Sequence, residues 1–139
     1  MYDLMIIGSG PAGISAALTA KARNLNFIWF GSRALSTKIE KAEKIMNYPG
    51  LPAVTGSEMQ SVFLKQIDDC GITITESQVN SIYDCGGYFA AGADNEIYEA
   101  KAVIMTVGMT TTREIEGEAR LLGCGVSYCA TCDGALYKN

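Results

Sequence analysis

At 139 residues and 48% hydrophobic side chains, the chain can build one domain with a real core and is not disordered by composition. A net charge of −4, with acids and bases interspersed, leaves no basic stripe for nucleic acid. No apolar run nears the roughly 20 residues of a membrane span, and the apolar start at Tyr2 lacks the basic lead of a signal peptide.

Tyr2 to Ile7 reads as a buried strand running into the turn Gly8-Ser9-Gly10-Pro11-Ala12-Gly13. Pro11 falls near the first helical turn, where its missing N–H costs nothing. Ala12 to Arg23 is alanine-rich and helix-forming, and Phe27 to Phe30 predicts a second strand ending at Gly31. That β–turn–α–β order calls for parallel strands joined right-handedly. Gly31 to Met46 is polar and lysine-rich, an excursion with a helical turn at most; Asn47-Tyr48-Pro49-Gly50 signals a turn. Thr55 to Asp69 has helical spacing, with Met59, Val62, Phe63 and Ile67 on one face and Thr55 or Ser57 as cap. Ile72 to Thr75 alternates like a third strand. Val79 to Glu99 predicts a small antiparallel meander, broken at Asp84-Cys85-Gly86-Gly87 and Asp94-Asn95. Ala102 to Thr106 predicts a last buried strand stopping at Val107-Gly108, and an irregular connector follows from Thr110 to Gly125. The fold class is α/β, a Rossmann-like parallel sheet with an antiparallel β-meander. A boundary near Arg113 to Glu118 divides the chain into a first domain segment, 1–115, and the opening of a second domain, 116–139. The expectation is an N-terminal piece of a longer protein.

Each glycine of the turn has its own task. Gly8 turns the chain out of the strand, Gly10 lets a pyrophosphate approach the backbone, and Gly13 lets helix and strand close up. Free N–H groups and the positive helix end then meet the phosphates. The competing reading is a tight turn with no ligand. One part of the dinucleotide fingerprint is missing: the second strand should end in an acid for the ribose, yet Gly31, Ser32 and Arg33 stand there. Main chain with Ser32 or Arg33 must serve instead, and Arg33 would suit a phosphorylated ribose.

Of the five cysteines, Cys129 and Cys132 form a Cys-Ala-Thr-Cys pair, with Asp133 and Gly134 next. An odd count outside a small secreted scaffold suits free thiols with one redox pair. At a helix start such a pair gains thiolate character; one sulfur attacks a disulfide and the other resolves it. Asp133 can move the proton, since the chain has no histidine to do so. Two structural thiols, or half of a zinc site, are the alternatives. A zinc site wants a second Cys-x-x-Cys pair, which Cys70, Cys85 and Cys124 do not supply, so no metal is assigned. A dinucleotide turn and a dithiol in one chain together imply flavin-linked thiol–disulfide exchange.

Four segments, Tyr2 to Gly13, Asn47 to Gly50, Thr106-Val107-Gly108 and above all Gly125 to Gly134, resemble the low-molecular-weight, bacterial-type thioredoxin reductases over essentially the whole chain. The resemblance implies an FAD domain interrupted by a pyridine-nucleotide domain that carries the dithiol. It implies that Cys132 faces the flavin, that Cys129 attacks the thioredoxin disulfide, and that Asp133 is the active-site acid. FAD would be held by Gly8, Ser9, Gly10, Pro11, Ala12, Gly13, Gly31, Ser32, Asn47 near the flavin ring, Val79 at the adenine and Gly108 beneath the cofactor. Where the family has Gly-Gly-Gln-Leu after the second strand, this chain has Leu35-Ser36-Thr37-Lys38-Ile39, with Lys38 in place of the glutamine. NADPH is the expected donor, bound through residues beyond Asn139, with ferredoxin as the alternative. A peroxiredoxin reductase is a further alternative, which Met1 directly before the first strand argues against, and a nucleotide-binding module with structural cysteines is another. Thioredoxin or a similar small disulfide protein is the expected partner, and a cytoplasmic homodimer the expected form. Residues 1–139 alone are expected to bind flavin weakly and to be catalytically inactive.

Overall fold

Two parallel strands open the fold, β1 (Tyr2–Ile7) and β2 (Phe27–Phe30), joined by α1 (Pro11–Ala22). The structure, a computed structural model, describes residues 1–109, 116–121 and 124–126. In chain order there follow α2 (Thr37–Glu40), α3 (Gly56–Asp69), β3 (Val79–Asp84), β4 (Phe89–Ala93), β5 (Glu96–Met105) and α4 (Glu118–Leu121). The five strands form one sheet in the order β2-β1-β5-β4-β3. The β2-β1-β5 half is parallel and the β5-β4-β3 half antiparallel. This is the mixed α/β sheet that the pattern predicts, meander included.

Strand alternation divides the core. Leu4 and Ile6 of β1, with Trp29 of β2, pack with Ile14 and Ala17 of α1 and with Met59, Phe63 and Ile67 of α3. Met5 and Ile7, with Ile28 and Phe30, take the other face under Ala91, Ala93 and Ala100 of the meander. Tyr98 meets Phe30 edge-on at 5.0 Å between ring centres, so the meander covers this face as a helix would in a simpler dinucleotide fold. Gly13, Ile14, Ala17 and Ala20 bury one stripe of α1 at helical spacing, and their small size lets the helix close on the sheet.

Thr55 caps α3 in a reciprocal box. Its hydroxyl accepts from the Glu58 amide at 3.2 Å, and the Glu58 carboxylate accepts from the Thr55 amide at 2.8 Å. That amide bond holds the Glu58 carboxyl below its usual value. Thr55→Ala is expected to lower unfolding stability by about 1 kcal/mol in urea titrations, without changing the steepness of the transition.

Three expectations need correction. Val62 is 44% exposed: Met59, Phe63 and Ile67 sit four apart, and at about 100° per residue Val62 falls beside their face. The Ile72–Thr75 strand reduces to one parallel bridge, Phe30 to Thr75, because the chain turns away at once through a Ser77 amide bond to the Thr75 carbonyl. Ala102–Thr106 is not a separate buried strand. It continues the third meander strand as β5, which has Ala100 as its one buried residue.

The chain falls into two compact units, one over Met1–Gly108 and another over Met109–Asn139. The described part of the second unit holds the single turn α4, closed by bonds from the Cys124 and Val126 amides to the Leu121 carbonyl. Among the described residues, no helix is long and apolar enough to cross a membrane.

Candidate dinucleotide site

β1, β2 and β5 end level with one another: Ile7 pairs with Phe30 on one side and with Met105 on the other. Gly8, Gly31 and Thr106 therefore stand abreast at the carboxyl edge of the parallel strands, where open α/β sheets bind their ligands. The Gly8 amide donates to the Phe30 carbonyl at 2.8 Å, and the Thr106 amide donates to the Ile7 carbonyl at 2.7 Å.

Close packing excludes a side chain at Gly8 and Gly13 of the turn and at Gly31 beside it. Gly8 has φ +112°, and a Cβ there would overlap the Thr106 carbonyl. A Cβ at Gly13 would overlap the Gly8 carbonyl oxygen, and one at Gly31 would come within 2.5 Å of the Ser9 Cβ. Gly10 differs: a Cβ there would meet nothing within 4 Å. It faces open space at the start of α1. Gly10 caps that helix with no side-chain bond, Pro11 has no N–H, and no acid lies in the first turn. The amides of Ala12 and Gly13 thus present an uncompensated positive helix end. A pyrophosphate fits this cradle by charge and by space.

Buried and partly buried bonds hold the turn from three sides. Trp29 Nε1 donates to the Gly8 carbonyl at 2.8 Å. Thr106 Oγ1 shares its one proton between the Ile7 and Gly8 carbonyls, at 2.9 and 3.0 Å. Ser9 Oγ donates to the Leu35 carbonyl at 3.1 Å and accepts from the Ser32 amide at 3.0 Å, tying the turn to the loop after β2. Gln60 of α3 fixes the same loop through the Ser36 carbonyl at 2.6 Å. Thr106→Val keeps the shape and removes the hydroxyl. It is expected to cost about 1–2 kcal/mol by thermal or urea unfolding and to loosen the turn.

Of the residues chosen from sequence, Gly8, Ser9, Gly10, Pro11, Ala12, Gly13, Gly31 and Ser32 converge on this one place. Lys38 lies exposed on α2, Asn47 is exposed in the loop beyond Ile45, and Val79 opens β3 half-buried against the meander-side core. Gly108 follows β5 with φ +67°. Cys129, Cys132 and Asp133 lie outside the described residues. Among the described residues, no group of His, Cys, Asp and Glu is arranged to hold a metal ion. Sequence reasoning missed Trp29 and Thr106 as supports of the turn. Arg33 is committed elsewhere: its guanidinium grips Asp68 at 3.0–3.1 Å. The pairing raises the arginine pKa and depresses that of Asp68, so a phosphorylated ribose would have to compete with Asp68 for this arginine.

A glycine turn at level strand ends, an open Gly10 and an uncapped helix start define a dinucleotide-binding α/β domain. The chain belongs to the pyridine nucleotide-disulphide oxidoreductase family, whose model matches residues 2–139. Within that FAD-dependent group its relatives are bacterial-type thioredoxin reductases, of which it spans the N-terminal portion. It is 32% identical over its whole length to the thioredoxin reductase of Bacillus subtilis, and spans 44% of that protein. The thioredoxin reductase structure from Streptococcus pyogenes matches all of this chain with a TM-score of 0.81 at 34% identity, over 46% of its own length. A ferredoxin-flavin thioredoxin reductase from Clostridium acetobutylicum matches 99% of this chain with a TM-score of 0.78 at 48% identity, over 48% of its own length.

Proposed function

We propose that the chain is the FAD-holding part of a thiol–disulfide oxidoreductase in which Cys129 and Cys132 reduce a thioredoxin-type disulfide. The observation that carries this reading is the cradle at Gly8–Gly13, closed to a side chain at Gly8 and Gly13, open at Gly10 and facing a helix start with no side-chain cap. Gly10, Ala12 and Gly13 would hold the pyrophosphate, and Ser9 would fix the cradle to the loop at Ser32. FAD, once reduced by two electrons from the donor, would supply the reductant for the Cys129–Cys132 disulfide. Lys38, Asn47, Val79 and Gly108 are proposed to complete the cofactor site.

The dithiol chemistry balances within the protein and its partner. The Cys129 thiolate attacks one sulfur of the partner disulfide, forming a mixed disulfide and expelling the second partner sulfur as a thiolate. The Cys132 thiolate then attacks the Cys129 sulfur, closes the 129–132 bridge and frees the first partner sulfur. Two electrons pass to the partner, and two protons complete its thiols. Asp133 holds or delivers a proton during these exchanges.

For the donor we favour ferredoxin over NADPH. The 48% identity to the ferredoxin-flavin enzyme of C. acetobutylicum exceeds the 32% and 34% found with the B. subtilis and S. pyogenes thioredoxin reductases. A cytoplasmic setting suits a dithiol that must stay reducible, and a homodimer is the proposed assembly. The test is anaerobic reduction of the full-length protein, following flavin absorbance and counting free thiols. Reduced ferredoxin should bleach the flavin and raise the count by the two thiols of the Cys129–Cys132 bridge, while NADPH should leave both unchanged. Bleaching by NADPH would reverse the choice of donor. Reduced flavin with the 129–132 bridge still oxidised would defeat the proposal itself.

A further inference from the structure

The second strand ends without the acid that dinucleotide folds use for the ribose, but the fold brings a carboxylate to that place from elsewhere. The segment after Ile72 runs beside β2. The Thr75 amide donates to the Trp29 carbonyl at 2.7 Å, and the Gly31 amide donates to the Thr75 carbonyl at 3.1 Å. Glu76 is the next residue, and it leaves that bridge at the same strand end where Gly31 and Ser32 pack against Ser9 of the turn. Its Oε1 accepts from the Arg33 amide at 2.8 Å, which fixes the carboxylate across the end of β2.

Two features make this carboxylate suitable for a ligand rather than for structure alone. Its Oε2 accepts no hydrogen bond among the described residues, although a carboxylate can accept several. The nearby cation, the Arg33 guanidinium, makes its salt bridge with Asp68 and acts on Glu76 only as a weaker charge through space, without bonding its carboxylate. An acceptor-only group that keeps a free oxygen beside a pyrophosphate turn is matched to a donor of two O–H groups one spacer away from the phosphates. The adenosine ribose diol has that chemistry. The same charge disfavours a 2′-phosphorylated ribose here, by like-charge repulsion.

We infer that Glu76 accepts hydrogen bonds from the adenosine ribose hydroxyls of FAD and replaces the acid missing from the end of β2. The inference rests on the cofactor reading above. It makes Glu76 a cofactor-binding residue contributed by the neighbouring segment instead of by β2.

The test uses the full-length protein stripped of flavin and titrated with FAD and with FAD analogues lacking the 2′- or the 3′-hydroxyl of the adenosine ribose, read by flavin fluorescence. Wild type should bind at least one deoxy analogue about tenfold or more weakly than FAD, the loss of a hydrogen bond to a charged acceptor. Glu76→Ala should bind FAD about tenfold or more weakly and no longer distinguish it from that analogue. Glu76→Gln, which keeps an acceptor for the Arg33 amide, should fall between. The discrimination ratio is internal to each variant, so a general loss of stability does not imitate it. Variants that discriminate as wild type does, or that lose affinity for all three ligands by one factor, would overturn the role of Glu76. Wild type that binds no FAD would instead remove the cofactor reading, and this inference with it.

Discussion

Gly13→Ala is expected to destabilise the protein by about 3 kcal/mol or more, and Gly10→Ala, three residues earlier, by almost nothing. The two substitutions add the same methyl group. At Gly13 it overlaps the Gly8 carbonyl oxygen and lies 2.9 Å from Thr106 Oγ1, both in fixed positions, so α1 must lift off β1. At Gly10 the new carbon meets nothing within 4 Å, and the backbone there, at φ −71° and ψ −179°, is open to any residue. Urea unfolding separates the two directly. Flavin retention in the full-length protein then reverses the contrast in meaning. Gly10→Ala should keep its fold and still bind FAD about tenfold or more weakly, because the methyl occupies the approach of the pyrophosphate. A Gly10→Ala protein with unchanged FAD affinity would mean that the cradle is a structural turn and nothing more.

Cys132→Ser is expected to abolish disulfide reduction while leaving flavin absorbance in place, and to trap the partner on Cys129. With the resolving sulfur gone, the Cys129 thiolate can still attack a thioredoxin-type disulfide, and the mixed disulfide then has no internal route to release. Non-reducing electrophoresis should show a covalent adduct that dithiothreitol dissolves. Cys129→Ser should also fall to the uncatalysed background, but with no adduct. Equal trapping by both variants would exchange the roles of the two sulfurs. Full activity in either would return the pair to the status of structural thiols.

Much of the parallel core was legible because its signals are local. The run Tyr2–Ile7, the glycine spacing, Pro11 and the alanine-rich stretch each specify β1, the turn and α1 without help from distant residues. The capped helix α3 was legible for the same reason, with Thr55 one of the two caps its sequence offers. What escaped was set by partners far away in sequence. Alternation over Ile72–Thr75 promises a strand, but only Thr75 finds the edge of β2. The polar residues around Ala100 suggest a break, yet β4 and β1 in turn supply the partners that keep β5 continuous. Trp29 and Thr106 read as ordinary strand residues, and their bonds to the Gly8 carbonyl appear only when three strand ends are brought level. Arg33 looked available for a phosphate because Asp68, 35 residues on, could not be seen holding it.

The bond from Thr106 to the Gly8 carbonyl spans 98 positions of the chain. A ribosome therefore finishes the glycine loop long before it makes the hydroxyl that locks it. Until β5 has joined the sheet, the nascent cradle lacks one wall and can hold adenine dinucleotide only poorly. Cofactor capture then follows tertiary assembly, and FAD in the growth medium or the refolding buffer should raise the yield of native protein by mass action on the last step, without hastening the first.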